Sequence, residues 1–182
     1  MHEYISLLRG INVGGKTLKM DRLASLYESL GLRDVTTYIQ SGNVLFNTAH
    51  ADMGGLKATI ENQIRDQFGL SVTVIIKDRR ELAEIIERNP FVQMGRAEVD
   101  KMHVTFLEGK PEEAWLERLP LDAGMGDEFR VIGTEVYLLC PGGYGRTVLS
   151  NSFFEKNLQV RATTRNWRTV NKLYQIATGG DD

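Results

Sequence analysis

The sequence of 182 residues has an ordinary composition for a soluble globular protein, with 25% charged and 42% hydrophobic residues. Its 22 basic and 24 acidic residues give a net charge of −2, which excludes a general attraction to nucleic acid or to an anionic membrane. One cysteine excludes an internal disulfide, and no apolar run approaches the ~18 residues of a membrane span. We therefore expect a cytoplasmic protein with no signal peptide and no membrane partner.

The first half of the sequence predicts four strands and two helices in the order βαββαβ. The first helix has apolar residues at helical spacing and ends at Gly31, and the turn Ser41-Gly42-Asn43 joins the second and third strands as a hairpin. This order is typical of a ferredoxin-like plait. The predicted limits, in chain order, are 3–8, 20–30, 34–39, 44–46, 55–68 and 72–76.

The second half repeats this order, because the segment from His103 to Gly109 matches the segment from Tyr4 to Gly10 position by position. A helix at 79–88, with Asp78 as its N-cap, links the halves and ends before Pro90. The predicted elements of the second half are a helix at 111–119, strands at 128–132 and 135–140, a helix at 148–157, an extended piece near Val160, and a last helix from about 165 to 176 with Thr163 or Thr164 as N-cap.

We therefore predict an α+β protein of two ferredoxin-like (βαββαβ) plaits in tandem, with a linking helix and a C-terminal helix. The predicted domain limits are 1–78 for the first plait, 79–100 for the linking helix and loop, and 101–182 for the second plait with the C-terminal helix.

Basic residues are concentrated in two zones of this slightly acidic chain. Between Arg9 and Arg22 four basic residues occur with one acid, and between Gly142 and Lys172 six basic residues occur with one acid. Two such zones suggest an anionic ligand, although solvated helix faces produce the same pattern.

Residues 10–17, Gly-Ile-Asn-Val-Gly-Gly-Lys-Thr, match the P-loop pattern G-x-x-x-x-G-K-[ST] of nucleotide-binding enzymes. A true P-loop lies in a parallel sheet and leads directly into a helix at its Lys-Thr pair. Here the hairpin at 41–43 indicates antiparallel strands, and helical spacing begins only at Met20. We therefore interpret the Walker match as coincidental.

The same loop keeps an anion-binding character, because its glycines allow backbone N–H groups to approach a ligand and its flanking cations add charge. In a βαββαβ plait the first and second strands run parallel, so the loop and the hairpin emerge at the same end of the sheet. The first candidate site therefore combines the loop with the hairpin, and its residues are Arg9, Gly10, Gly14, Gly15, Lys16, Gln40, Ser41 and Asn43.

Residues 140–147 match C-x5-R-[ST], the phosphate-cradling loop of cysteine phosphatases. In that chemistry Cys140 is a thiolate nucleophile and Arg146 holds the phosphoryl oxygens. A lone cysteine at the end of a core strand is more often a small buried hydrophobe. A phosphate-ester enzyme that uses this loop or the P-loop-like segment 10–17 thus remains an alternative, and simple anion binding is predicted for the loop residues Gly143, Gly145, Arg146 and Thr147.

Four segments together resemble the bacterial family called domain of unknown function 1697, over essentially the whole chain. The resemblance implies two ferredoxin-like plaits, in agreement with the repeat, and no assigned activity. It implies that Thr17 departs from the family pattern and that position 140 varies, which weakens both catalytic interpretations. By position it adds Asn12, Thr164, Arg165 and Asn166 to the candidates. The four segments are Leu7 to Lys16, Tyr38 to Val44, Asn89 to Phe91 and Ala162 to Trp167.

The sequence thus predicts a protein that binds a small anionic or phosphorylated ligand, and no catalytic constellation is evident. No metal or other cofactor is predicted, because His2, His50 and His103 lack the spacing of metal ligands. A nucleic-acid-binding module is the other alternative, since plaits present open sheets to RNA, but no RNP-like aromatic pair is present on the first or third strand. The oligomeric state is left open.

Overall fold

The chain folds into two units, each built on a four-stranded antiparallel sheet. The first unit consists of the chain up to Leu82 together with the segment that begins at Leu173. The second unit is Ala83–Lys172. These features belong to a computed structural model that describes residues 2–12, 17–96, 98–120, 124 and 126–180. The domain limits proposed from the sequence remain a prediction.

The first unit has the predicted order of strands and helices. Strand β1 lies between β3 and β4 and is antiparallel to both, and β2 forms the outer edge beside β3. The order β2-β3-β1-β4 is that of a ferredoxin-like sheet, so this part of the fold prediction is confirmed. The elements are β1 (His2–Arg9), α1 (Met20–Ser29), β2 (Arg33–Tyr38), β3 (Asn43–Thr48), α2 (Met53–Phe68) and β4 (Thr73–Asp78).

The core of the first unit forms where α1 and α2 bury their apolar stripes against one face of the sheet. Leu23 and Tyr27 of α1 and Ile60 and Ile64 of α2 are fully buried there. Full burial of one such side chain stabilises the fold by roughly 1.5–3 kcal/mol relative to exposure. The sheet contributes Leu8, Val44, Phe46 and Val74 to this core.

The second unit repeats the arrangement. Its strand order, β6-β7-β5-β8, places β5 in the position that β1 has in the first sheet. Both its neighbours are again antiparallel, which agrees with the predicted duplication. The elements are β5 (Met102–Leu107), α5 (Glu113–Leu116), β6 (Glu128–Ile132), β7 (Glu135–Leu139), α6 (Asn151–Leu158) and β8 (Ala162–Asn166).

The linking helix and the C-terminal helix are both present. Helix α3 (Arg79–Glu87) begins with a capping box, because Glu81 N donates to Asp78 Oδ1 at 2.7 Å and Asp78 N donates to Glu81 Oε2 at 2.8 Å. Asp78 is therefore the N-cap, as predicted. A short helix, α4 (Pro90–Gln93), follows, and the last helix is α7 (Trp167–Ala177). No helix in the described part of the chain combines the length and apolar character of a membrane span.

Two helices of the second unit are shorter than the sequence predicted. Helix α5 covers only Glu113–Leu116, because Glu112 is extended and provides no side-chain cap and Pro120 disfavours helical geometry at Leu119. Helix α6 begins at Asn151 rather than at 148, because the Ser150 hydroxyl accepts from Phe153 N at 3.2 Å and caps it there.

The start of the last helix also differs from the prediction. Thr163 and Thr164, the predicted N-caps, lie in β8, which pairs with β5. Asn166 is the actual cap, because its Oδ1 accepts from Thr169 N at 2.7 Å. The extended piece expected near Val160 is this strand, Ala162–Asn166.

Gly42 in the β2–β3 turn is required for two separate reasons. Its φ is 74°, and a Cβ there would lie 2.9 Å from Leu8 Cβ. Gly31 is a matched control, because its φ is 78° but a Cβ at that position would meet nothing within 4 Å. The left-handed backbone alone penalises an L side chain by roughly 1–2 kcal/mol.

We expect Gly31→Ala to lower the free energy of unfolding by about 1–2 kcal/mol. Gly42→Ala is expected to lower it by a further ~1–3 kcal/mol, because Leu8 is in a packed core and must shift. Urea denaturation of both variants measures the difference. Equal losses in the two variants would show that the Leu8 contact is unimportant.

Candidate functional site

The loop after β1 lies beside the β2–β3 turn, as the plait topology predicted. Leu8 N donates to Gly42 O at 2.8 Å, and Asn12 Nδ2 donates to Gln40 O at 2.7 Å. The structure therefore brings the described part of the first candidate site together. Gly14, Gly15 and Lys16 lie outside the described residues, so their part in the site remains a prediction.

Asn12 connects this loop to two other segments. Its φ of 53° is left-handed, a conformation that asparagine tolerates better than most residues. Its Nδ2 donates to Gln40 O, and its Oδ1 accepts from Leu18 N at 2.6 Å. Both polar atoms of its side chain are thus engaged within the protein, and Asn12 positions the chain just before α1.

The hairpin residues of the first candidate site also support the turn. Asn43 is fully buried and donates to Tyr38 O at 3.0 Å and to Ser41 Oγ at 2.9 Å. Gln40 is exposed and its carbonyl oxygen accepts from Asn12, whereas Arg9 is half-buried. These contacts stabilise the turn, and a ligand would have to contact the neighbouring surface.

A cavity of about 570 Å³ opens where this loop enters α1. Its walls come from Thr17, Leu18 and the first turn of α1 on one side and from the last turn of α2 on the other. Lys19 and Arg22 both line it, and none of the described residues along its walls is acidic. The site thus has an excess of positive charge.

Arg22 is held over an aromatic ring. Its guanidinium carbon lies 5.2 Å from the ring centre of Phe68, the last residue of α2. Such a cation–π contact is worth roughly 0.5–1 kcal/mol at an exposed site. It restricts the Arg22 side chain to the cavity wall.

The first turn of α1 adds to the positive character of the cavity. Lys19 occupies the N-cap position but makes no side-chain capping hydrogen bond. Asp21 Oδ1 accepts from Arg22 N at 2.8 Å, and Leu23 N donates to Lys19 O at 3.1 Å. The start of α1 carries the positive end of the helix dipole, and the Asp21 carboxylate in the same turn offsets part of that charge.

Lys19 and Arg22 belong to the first basic zone of the sequence, but the sequence did not indicate that they line a site. The available signal was their position, since both stand at the start of the first predicted helix directly after the glycine loop. Helical spacing alone does not show which face of the first turn borders a cavity.

The second loop does not provide the geometry of a cysteine phosphatase. Cys140 is fully buried, and the pKa of its thiol is raised to about 11, mainly by burial and also by Asp127, while the hydrogen bond with Thr147 opposes the increase. The chain continues from it into a 3-10 turn, Tyr144–Arg146, and α6 begins only at Asn151. In a cysteine phosphatase the helix begins directly after the phosphate loop, where its N-terminus stabilises the thiolate. Here α6 begins eleven residues after Cys140, so its N-terminus does not follow that loop directly.

Three further candidates are engaged in the structure of the second unit. Thr164 Oγ1 donates to Asn151 Oδ1 at 2.7 Å and lies 2.7 Å from Thr105 Oγ1. Asn166 caps α7, as described above. Arg165 lies in β8 and is buried, so it does not belong to the last helix, which the sequence predicted to begin at about 165.

The Arg165 guanidinium donates to Thr163 Oγ1 at 2.8 Å and to Thr164 O at 2.9 Å. Burial lowers its pKa to about 10, and Tyr144 opposes this effect. Of the second loop, Gly145 and Arg146 are exposed, whereas Gly143 and Thr147 are half-buried and Thr147 Oγ1 accepts from Leu149 N.

His103 is a feature of this end of the second sheet that the sequence did not reveal. Its ring stacks on Tyr144 with centres 4.7 Å apart and an interplanar angle of 23°. Burial lowers its pKa, and the carbonyl of Lys101 opposes this effect. In the described parts of the chain, no three histidine, cysteine or acidic side chains are grouped as metal ligands.

The central strands of both sheets are buried on both faces. Every residue of β5 and of β7 is buried, and so are Ile5, Ser6, Leu7 and Leu8 of β1. RNA-binding plaits stack bases on an open sheet face. The residues at the centres of these described strands are not exposed, and the nucleic-acid alternative stays a prediction.

The fold and the site define an α+β protein of two ferredoxin-like units with a cationic cavity in the first. Residues 1–137 match the family model described as "Protein of unknown function (DUF1697)", and the chain belongs to that family. A solved structure with a similar fold is the conserved bacterial protein SP0830 from Streptococcus pneumoniae. It is 21% identical, the match covers 98% of this chain and 99% of that one, and the TM-score is 0.71. No curated protein matches the sequence significantly.

Cys140 is expected to be unreactive in the folded protein at neutral pH. Because burial raises its pKa to about 11, the thiol is protonated and inaccessible under these conditions. Iodoacetamide labelling followed by intact-mass measurement should show little modification before urea is added and complete modification after it. Rapid labelling of the folded protein would contradict this assignment and revive the thiolate mechanism.

The stability of the protein should depend on the protonation of His103. Its pKa is lowered from 6.5 in the folded state, so the unfolded chain binds more protons just below that pH. The free energy of unfolding is therefore expected to be fully maintained above about 6.5 and to decrease as the pH falls through the lowered pKa.

Urea denaturation across this pH range measures the slope. His103→Gln should flatten it, because it removes the group whose pKa is lowered by folding. An unchanged slope in His103→Gln would contradict the assignment.

Proposed function

We propose that the first unit binds a small anionic or phosphorylated ligand in the cavity at the start of α1. The observation that carries this proposal is the pairing of Lys19 and Arg22 on cavity walls that include no acidic residue among those described. The cavity also borders the end of the glycine loop, so the loop residues Gly14, Gly15 and Lys16 are proposed as further contacts.

The expected affinity follows from the number of positive groups that contribute. A millimolar Kd requires about 4 kcal/mol. The end of one helix supplies only roughly 0.3–1 kcal/mol, which is insufficient by itself. Two charge-assisted hydrogen bonds add about 1.5–3 kcal/mol each, so Lys19, Arg22 and the helix end together contribute roughly 3–7 kcal/mol, a range that spans the millimolar requirement.

The groups that contact the ligand are held in place before it binds. Asn12 fixes Leu18 and therefore the start of α1, and Phe68 restricts Arg22. Preorganisation of this kind reduces the entropy lost on binding. It supports a specific site rather than a diffuse cationic surface.

The proposal is limited to binding. The described residues of the cavity include no pair of nucleophile and general base, and Cys140 belongs to the other unit. Neither the phosphate-ester enzyme nor the nucleic-acid module gains a supporting observation. Arg146, exposed on the second loop, remains a candidate for a separate anion contact.

Isothermal titration calorimetry with a panel of phosphorylated metabolites and nucleotides tests the proposal. Lys19→Gln and Arg22→Gln are each expected to weaken the Kd of any ligand found about tenfold, because each removes one charge-assisted contact. Arg33→Gln is the matched control, since Arg33 is an exposed cation of the same unit that lies outside the cavity.

The control should bind like the wild type. No binding by any compound of the panel, or equal affinities in the three variants and the wild type, would refute the proposal. Circular dichroism and thermal denaturation of each variant exclude unfolding as the cause of a loss.

A further inference from the structure

A second cavity, of about 580 Å³, lies in the first unit at the end of the sheet opposite to the β2–β3 turn. The pairing of Glu3 with Asn47 and of Tyr4 with Asp78 brings the start of β1 beside the ends of β3 and β4. All four of these residues line the cavity. This cavity therefore has its own walls, separate from those of the proposed anion site at the start of α1.

Charges of both signs line this second cavity. Glu3 and Asp78 are acids, and Arg79 and Arg80 at the start of α3 are bases. The volume falls in the range of roughly 300–1,000 Å³ that is usual for small-molecule sites. The walls favour a small polar ligand, because the remaining described residues along them also carry polar groups. These residues are His2, Tyr4 and Asn47.

The Glu3 carboxylate has no directly bonded counter-charge. It is half-buried, and among the described residues it accepts no hydrogen bond and forms no ion pair. Burial raises the pKa of Glu3, the attraction of Arg79 opposes this effect, and the nearby Asp34 adds to it. Because the pKa is raised overall, Arg79 compensates only partly for the burial of this carboxylate, and a further positive group beside Glu3 would be stabilised.

Asp34 makes the Glu3 side of the cavity more acidic. Asp34 Oδ2 accepts from Asn47 Nδ2 at 2.8 Å, and Asn47 pairs with Glu3 across β1 and β3. Two carboxylates are thus held on the same side of the cavity. A cationic group of a ligand would be attracted by both of them.

Arg79 provides the opposite charge. It is exposed at the first position of α3, and in the described part of the chain its guanidinium makes no hydrogen bond and no ion pair. A guanidinium matches the geometry of a carboxylate, with which it forms two parallel hydrogen bonds. Arg80 lines the same cavity and adds a second positive charge.

A ligand with charge of only one sign fits these walls poorly. An anion that approaches Arg79 is repelled by Glu3 and Asp34, and a cation that approaches Glu3 is repelled by Arg79 and Arg80. A molecule with one charge of each sign is attracted on both sides of the cavity.

We propose that this second cavity binds a small zwitterion of the amino-acid type, with its carboxylate against Arg79 and its ammonium group against Glu3. The zwitterion site is independent of the proposed anion site, because none of the described residues lines both cavities.

Calorimetry with the protein amino acids, β-alanine and γ-aminobutyrate tests this site. We expect at least one of them to bind with a Kd of about 1 mM or lower. The N-acetyl derivative of that ligand lacks the positive charge, and its carboxamide lacks the negative charge. Each derivative should bind about tenfold more weakly, because each loses one charge-assisted contact.

Two variants identify which side chain contacts which charge. Glu3→Gln should weaken binding of the amino acid about tenfold and remove the penalty for N-acetylation, while the penalty for the carboxamide remains. Arg79→Gln should remove the penalty for the carboxamide and keep the one for N-acetylation. A purely structural role would lower the affinities for all three compounds equally. Glu28→Gln and Arg65→Gln are the matched controls and should bind like the wild type, because both are exposed charges of the same unit outside the cavity.

Thermal denaturation shows whether each variant is folded, and Arg79→Gln, at an exposed position, is decisive if Glu3→Gln is unstable. No binding by any of these compounds at about 10 mM would overturn the zwitterion site. Penalties for the two derivatives that are the same in both variants as in the wild type would also overturn it. Either result would leave the proposed anion site unaffected.

Discussion

The proposed site depends on two hydrogen bonds made by the side chain of Asn12. It bridges the backbone of the β2–β3 turn, at Gln40 O, and the segment that precedes α1, at Leu18 N. Because Lys19 and Arg22 follow directly, this bridge determines where both cations lie relative to the sheet. The buried Asn43 stabilises the turn from its other side, so sheet, turn and helix start form one supported structure.

The architecture was predictable because hydrophobic periodicity and turn chemistry agree along the chain. The hairpin at Ser41-Gly42 indicated an antiparallel sheet, and the pairing of β1 with β3 and β4 confirms it, which removes the parallel setting of a P-loop. The helix-start signals in the sequence were misleading where a segment pairs with a neighbouring strand instead. Thr164 and Arg165 read as the start of a helix, but their pairing with β5 places them in β8, and Asn166 caps the helix instead.

The site was only partly predictable, because charge and glycine patterns do not specify burial. Arg165 and Arg146 looked equivalent in the second basic zone, yet the first is buried in β8 and the second is exposed. Asn12 was a candidate ligand-binding residue, but its two polar side-chain atoms bond within the protein. Lys19 and Arg22 gained importance only from the cavity between α1 and α2, whose walls come from segments distant in sequence.

An amide NMR titration with inorganic phosphate is the sharpest test of the proposed anion site, because it locates the bound anion without assuming the rest of the ligand. We expect saturable shifts at Lys19, Asp21 and Arg22 in the first turn of α1. Shifts confined to the loop at Gly143–Thr147, or non-saturating shifts spread over exposed cations such as Arg33, would contradict it.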